Sequence, residues 1–338
     1  MTPLKAAKPD LGYFEKLLTK DTFLDITQNL DNLRRLIQPA HPNAVRFYSN
    51  TQQALKSWAL NKGLREKSWI GVVSPYPNYI DSFIESNNFI KVQLPRDPEE
   101  LMSFDFTRLS AICLSNPNLA DSFIYPDTIF EELSTHFEKF PHLEILSEES
   151  TREFYFHHEA PLPGTFLNNK NPKCTVMSGT FGFSNDPFCW LVDNASTGPT
   201  QHIPLVPQQD CGHRIFALKQ SRNLHQFQRR LFVMEHNLLR FADILRPLIL
   251  TEDIQIPFWP KPRALYLLVD ISKVLLASGL SSTQWCERVK AEYDLEIYPG
   301  DKLGAPGCVR ICLASSIYNL VKVGRIFVKS FERKISRI

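Results

Sequence analysis

The sequence predicts an α/β protein in two parts: a large α/β domain on a mostly parallel sheet, residues 41–235, and a small α+β domain, 236–338, which the N-terminal segment 1–40 joins. Three observations predict it. Apolar runs of strand length alternate with helical patterns through the first two thirds of the chain, as strands linked by crossover helices do. Residues 109–115 form a nearly pure apolar run, as a strand buried on both faces must. Pro257, Pro260 and Pro262 break a long helical pattern and set off the last part of the chain.

The elements come in this order. Residues 44–48 read as a short strand and 51–60 as the helix after it. A second strand, 69–74, ends at the turn Pro75-Tyr76-Pro77; 79–88 return as a helix and 90–94 as a third strand. After the apolar strand 109–115, a helix runs over 125–137, with Pro126 in its first turn, where a missing N–H does no harm. Residues 143–146 and 174–177 are two further short, buried strands. Residues 224–250 keep a 3.6-residue apolar period, long for one helix. Beyond the prolines the pattern reads strand 264–271, helix 281–293, strand 308–313, helix 315–335, a compact α+β unit. There are no internal repeats and no low-complexity segment.

Composition narrows the function. At 338 residues the chain can bury a large core, and 43% apolar with 22% charged residues is ordinary for a globular protein. A formal net charge of +2 is too small to imply nucleic acid as an obligate partner. Seven cysteines without C-x-x-C spacing argue against a disulfide scaffold and for a reducing compartment. Lys5, Lys8, Asp10, Glu15 and Lys16 interrupt the first twenty residues, so no signal peptide is expected. No uncharged apolar run reaches the roughly 18 residues of a membrane span. A soluble, cytoplasmic protein is the expectation.

Four segments carry more specific information. The tail reads Glu296-Ile297-Tyr298-Pro299-Gly300-Asp301-Lys302-Leu303-Gly304, then Cys308-Val309-Arg310-Ile311-Cys312-Leu313-Ala314. Upstream stand Val72-Val73-Ser74-Pro75-Tyr76-Pro77-Asn78-Tyr79, Ser115-Asn116-Pro117-Asn118 and Asn50-Thr51-Gln52-Gln53-Ala54-Leu55. In order and spacing they resemble the class I/II aminotransferases of the pyridoxal-phosphate fold type I, over about residues 40–335. The resemblance matches the tail to the family's small-domain turn and the strand carrying its substrate arginine. It matches Tyr76 to the first tyrosine of a "P-x-Y-x-x-Y" segment. Asn50 and Thr51 fall on the loop that opens a helix whose N–H groups hold phosphate. It implies an aminotransferase fold, a homodimer, and a pocket for an amino acid or other small carboxylate.

The departures are as informative. The family's strand ends in "S-x-S-K", whose lysine bonds the cofactor; here Ser178-Gly179-Thr180-Phe181 follows the strand, so Phe181 stands at the lysine position. A phenyl ring has no amine, so bond formation and lysine-borne proton transfer are lost there. The arginine that pairs with phosphate aligns with Cys189, and the asparagine at the ring hydroxyl with Leu119. The aspartate that meets the pyridine nitrogen aligns with Ser147, unless a one-residue slip gives the role to Glu148. Lys170 and Lys173 lie before the strand; eight strand residues, roughly 26 Å, separate Lys173 from Phe181, too far for a side chain. From these losses the sequence predicts that no cofactor is bound.

Arg310 matches the arginine that grips the substrate carboxylate through two parallel hydrogen bonds; a structural salt bridge explains it equally well. Alternation places Cys308, Arg310 and Cys312 on one face. Neither these cysteines, nor His157-His158-Glu159, nor Cys211-Gly212-His213 has zinc spacing, and no metal is expected. No G-x-S-x-G elbow, Walker loop or dinucleotide fingerprint occurs. Lys322, Arg325, Lys329, Arg333, Lys334 and Arg337 make the last helix basic, which suits its C-terminal end. The leading reading is a cofactor-free pseudoenzyme that binds a carboxylate or amino acid and acts by binding or partner regulation. The alternatives are a transferase using pyridoxal phosphate in a non-standard way, and an enzyme with new chemistry in the old pocket, with Glu148 or Glu149 as base.

Overall fold

The computed structural model describes residues 45–48, 50–151, 165–166, 173–179, 189–193, 224–256 and 265–335. A seven-stranded sheet is ordered β1-β7-β6-β5-β4-β2-β3, from β1 (Val45–Tyr48), β2 (Trp69–Val73), β3 (Ile90–Leu94), β4 (Ala111–Ser115), β5 (Glu144–Glu148), β6 (Cys174–Gly179) and β7 (Cys189–Asp193). The β6-β5-β4-β2-β3 pairs are parallel and β1-β7 and β7-β6 antiparallel, so the sheet is mostly parallel. All five residues of β4 and of β5 are buried, as central strands covered on both faces require.

Helices cover both faces. Against one lie α1 (Thr51–Asn61) and α2 (Tyr79–Ser86), whose Leu55, Trp58 and Phe83 pack on Val72, Leu146, Met177 and Leu191. Against the other lie α3 (Pro98–Ser103) and α4 (Asp127–Phe137), whose Leu101, Phe130 and Phe137 pack on Ile112, Ile145 and Val176. Local chemistry starts two of these helices. Asn50 caps α1 by accepting from Gln53 N at 2.9 Å; Asp97 caps α3 by accepting from Glu99 N and Glu100 N, with Pro98 in the first turn.

The long helix α5 (Leu224–Leu250) leads to a three-stranded sheet ordered β8-β10-β9, from β8 (Tyr266–Asp270), β9 (Tyr298–Pro299) and β10 (Cys308–Cys312). Around it lie α6 (Ser272–Ser278), α7 (Ser282–Tyr293), with a Ser281/Gln284 capping box, and α8 (Ile317–Ile335). From Met234 onward the buried residues of α5 join this second core, where Trp285 stacks on Phe327 with centroids 5.5 Å apart. Sequence reasoning missed α3, α6, β7 and β9, each short enough to carry little periodicity. The prolines at 257, 260 and 262 lie outside the described residues.

Two turns fasten the small unit to the large sheet. Tyr76 N donates to Leu303 O at 2.9 Å and Ser74 Oγ to Gly304 O at 2.6 Å. Gly304 has φ +68°, and a Cβ there would run into the Tyr76 ring, so this turn needs glycine. Ser122 Oγ donates to Tyr266 O at 2.5 Å and accepts from Tyr266 N at 3.2 Å. Next to Ser122, wholly buried Asp121 pairs with Arg96.

At the opposite end of the sheet Lys62, just past α1, bridges Asp193 at 3.1 Å and Glu144 at 3.2 Å, all three side chains under a tenth exposed. Arg46 also holds Asp193, and Lys173 holds Glu144. Lys62→Met should therefore lower stability by roughly 2–3 kcal/mol, the worth of a charged hydrogen bond or so. Each carboxylate keeps a second cation, so the loss stays below the roughly 3–5 kcal/mol of a stranded buried charge. Urea denaturation measures it; a neutral result would show that the retained cations suffice.

Burial pushes the Asp121 carboxyl up to about 6, against the pull of the Arg96 guanidinium. Folded Asp121 thus binds its proton more tightly than it does unfolded, where carboxyls titrate near ~4, so its contribution to stability falls as pH rises from about 4 to 6. The stability difference between wild type and Asp121→Asn should shift against the wild type over that window and stay level above it. A difference that moved the other way, in denaturation at several pH values, would show a carboxylate stabilised by Arg96 instead.

Candidate functional site

The C-terminal ends of parallel strands, where loops diverge, are where α/β sheets place their ligands. β4 and β5 end there in Ser115 and Glu148, which pair across the ladder. Glu148 is 2% exposed; its Oε2 accepts from Ser115 Oγ at 2.6 Å and its Oε1 from Ser150 N at 2.9 Å. Burial raises its pKa, against the lowering by Ser115 and Ser150.

Strand alternation sorts the neighbours. Leu146 packs with α1 and α2, so Glu148, two residues on, shares their face, whereas Ser147 follows Ile145 to the other. Ser147 Oγ donates to Glu149 Oε1 at 2.9 Å, and Glu149 also accepts from Phe166 N and Thr165 Oγ1. Cys189, wholly buried, shares the α1 face with Leu191, its Sγ 4.0 Å from Thr51 Oγ1 in the first turn of α1. Ser178 alternates with Met177 towards the other face, and its hydroxyl reaches Glu149 O at 3.4 Å. Thr51, Asn50, Cys189 and Glu148 thus line one side of the sheet, and Ser147 and Ser178 do not join them.

Tyr79, at the start of α2, belongs to this cluster although sequence reasoning assigned it no role. Burial lifts its phenol well above the usual value, and Glu148, Cys189 and Cys113 are near enough to add to that. Tyr76 is buried in the core of this same face, and Lys91 donates to its hydroxyl at 2.8 Å and to Asp81 at 2.7 Å. Phe181 lies outside the described residues, as do His157, His158, Glu159, Cys211 and His213.

The small sheet brings Arg310 to the loop after β4. Its Nη1 donates to Leu119 O at 3.4 Å, and Leu119 itself is buried. Tyr298, directly opposite on β9, and Tyr266, diagonal on β8, hold the guanidinium between their rings, with Cζ 4.5 and 4.3 Å from the centroids. The Tyr298 side chain also hydrogen-bonds with Asn78. Among the described residues no carboxylate forms an ion pair with Arg310; the structural salt bridge considered from sequence is not found there. A cavity of about 190 Å³ opens beside it. The two tyrosines could not be found from sequence, because their closeness depends on the register of a two-residue strand.

Among the described residues no cluster of three or more His, Cys, Asp or Glu could hold a metal, and no helix is long and apolar enough to cross a membrane. No family model matches the chain, and no curated protein matches it. Solved structures do. An aspartate aminotransferase from Thermus thermophilus with maleate is 16% identical, with 97% of this chain and 91% of that one covered and a TM-score of 0.74. A probable N-succinyldiaminopimelate aminotransferase, also from Thermus thermophilus, is 14% identical, with 98% and 95% covered and a TM-score of 0.73. An aromatic aminotransferase from Pyrococcus horikoshii is likewise 14% identical, with 98% and 96% covered and a TM-score of 0.73.

These similarities correct the expectation that no cofactor is bound: the fold is that of aminotransferases, and the group it implies is pyridoxal phosphate. The expectation rested on matching positions one by one. It counted the acid as lost at Ser147 unless a one-residue slip passed the role to Glu148, and the sheet puts the Glu148 carboxylate on the face of α1. The present residues fit the group at two ends, a buried carboxylate for a ring nitrogen and the first turn of α1 with Thr51 for a phosphate. With a mostly parallel seven-stranded sheet and its helices matched over nearly the whole chain, the protein has the aminotransferase fold, pyridoxal-phosphate fold type I.

Proposed function

We propose that this protein binds a small carboxylate or amino acid at Arg310, takes pyridoxal phosphate without a covalent bond, and acts by binding or partner regulation rather than by standard transamination. The observation that carries the reading is Arg310: a guanidinium held between two tyrosine rings, without an ion-pair partner among the described residues, beside a cavity. A half-buried guanidinium placed against two rings suits the planar fork of a carboxylate. A cytoplasmic homodimer belongs to the same proposal.

In this reading Glu148 faces the ring nitrogen, and Thr51 with the first-turn N–H groups of α1 holds the phosphate. When bound, the cofactor supplies an electron sink for charge developing at an amino acid's α-carbon. Phe181 offers neither a bond to it nor a proton carrier, and Cys189 stands where the resemblance has a cation. Glu148 and Glu149 are held by Ser115, Ser150, Ser147, Thr165 and Phe166, as groups with positioning work to do.

Two measurements test this. Calorimetry with acetate should show binding that Arg310→Gln weakens at least roughly tenfold, as loss of a charged hydrogen bond worth about 1.5–3 kcal/mol requires; unchanged binding would move the site elsewhere. Equilibrium dialysis with pyridoxal phosphate should show binding that Glu148→Gln weakens, and borohydride followed by peptide mapping should find no phosphopyridoxyl lysine. Such a lysine in the site would overturn the non-covalent reading.

A further inference from the structure

The cavity beside Arg310 has two unlike ends. One is the guanidinium, flanked by Tyr298. The wall running from it carries Ile297, Leu320 and Val323, each buried in the small-domain core, with Ser315 and Asn319 as its neutral polar members. Arg310 is the one cation among the described residues lining it, and the one acid, Glu296, stands exposed at the rim with Lys290 at 3.7 Å. The volume of about 190 Å³ is somewhat larger than the roughly 150 Å³ apolar cavity that accepts benzene.

We infer that the ligand bound at Arg310 is a monocarboxylate with a branched aliphatic or single-ring side chain, and that dicarboxylates are selected against. The inference rests on the proposed carboxylate site and adds its side-chain specificity. A carboxylate on Arg310 points the rest of the ligand along Ile297, Leu320 and Val323. Apolar groups gain there by leaving water, about 25 cal/mol per Å² of surface. A second carboxylate would find no second cation among the described residues lining the cavity, with only the neutral Ser315 and Asn319 to donate to it, and would approach Glu296, so it loses on both counts. Specificity of this kind comes from what the pocket rejects as much as from what it accepts.

The test uses the full chain and its Arg310→Gln and Glu296→Lys variants, each checked by thermal melting. Calorimetry compares 3-phenylpropanoate, 4-methylpentanoate and succinate. The two monocarboxylates should bind at least tenfold more tightly than succinate, Arg310→Gln should weaken them at least tenfold, and Glu296→Lys should narrow the gap by strengthening succinate. Succinate binding as tightly as the others, and still lost in Arg310→Gln, overturns the side-chain specificity and leaves the carboxylate site standing. Binding indifferent to Arg310→Gln, or no binding of any of the three, overturns both.

Discussion

The loop from Asn116 to Ser122 is the constraint on which the rest of the site depends. Asn116 closes it by bonding both ways to the Tyr125 backbone, at 2.9 and 2.8 Å. Asn118 ties it to the turn after β2 through Pro75 O at 2.6 Å, and Ser122 ties it to β8 through Tyr266. Its first residue bonds to Glu148 O, and the serine just before it bonds to the Glu148 side chain. Its middle presents Leu119 O to Arg310. One segment of seven residues thus sets the distance between the acid at the end of β5 and the guanidinium on β10. Almost every polar group in it is spent on holding the segment, which is how a buried loop avoids orphaned backbone.

That arrangement divides the labour between the two sheets. The large sheet gives groups on its α1 face, Glu148, Cys189, Thr51 and Tyr79, close-packed and largely dry. The small sheet gives a cation placed against two tyrosine rings and, among the described residues, without an opposing acid. Cation–π attraction to two tyrosine rings leaves the guanidinium its charge and uses up none of its N–H donors, because the rings attract the charge through their faces. An ion pair would have fixed Arg310 equally well and closed it to a ligand.

Much of this was legible in the chain, and the limits are instructive. β4 declared itself because a strand covered on both faces has to be apolar throughout. The turn at Gly300–Gly304 showed its glycines, and the structure gives the reason at Gly304, whose Cβ position the Tyr76 ring occupies. β7 was invisible: five residues, CWLVD, with little around them to set a period. The acid at the sheet's end was ambiguous for another reason. Neighbouring Ser147 and Glu148 point to opposite faces, and only knowing which face carries α1 decides between them. Tyr298 and Tyr266 come together with Arg310 through cross-strand pairing, which sequence separation of 44 residues between Tyr266 and Arg310 does not announce.

The balance between binding and chemistry depends on what these groups can do differently in a ground state and a transition state. In the proposed reading Arg310 grips a carboxylate equally in both, and such uniform binding gives affinity without rate. Rate at an amino acid's α-carbon needs a group that takes a proton and returns it, and the resemblance placed that duty on a lysine where this chain has Phe181. The two buried glutamates are poor substitutes. Glu149 accepts from Ser147, Thr165 and Phe166, and Glu148 from Ser115 and Ser150, so moving a proton through either means dismantling the contacts that fix the loop and the strand ends. The residues that would have to turn over are the ones that hold the fold together, while the residue best placed to meet a ligand, Arg310, has no proton to give. In the proposed reading, a molecule so arranged recognises a carboxylate and holds it.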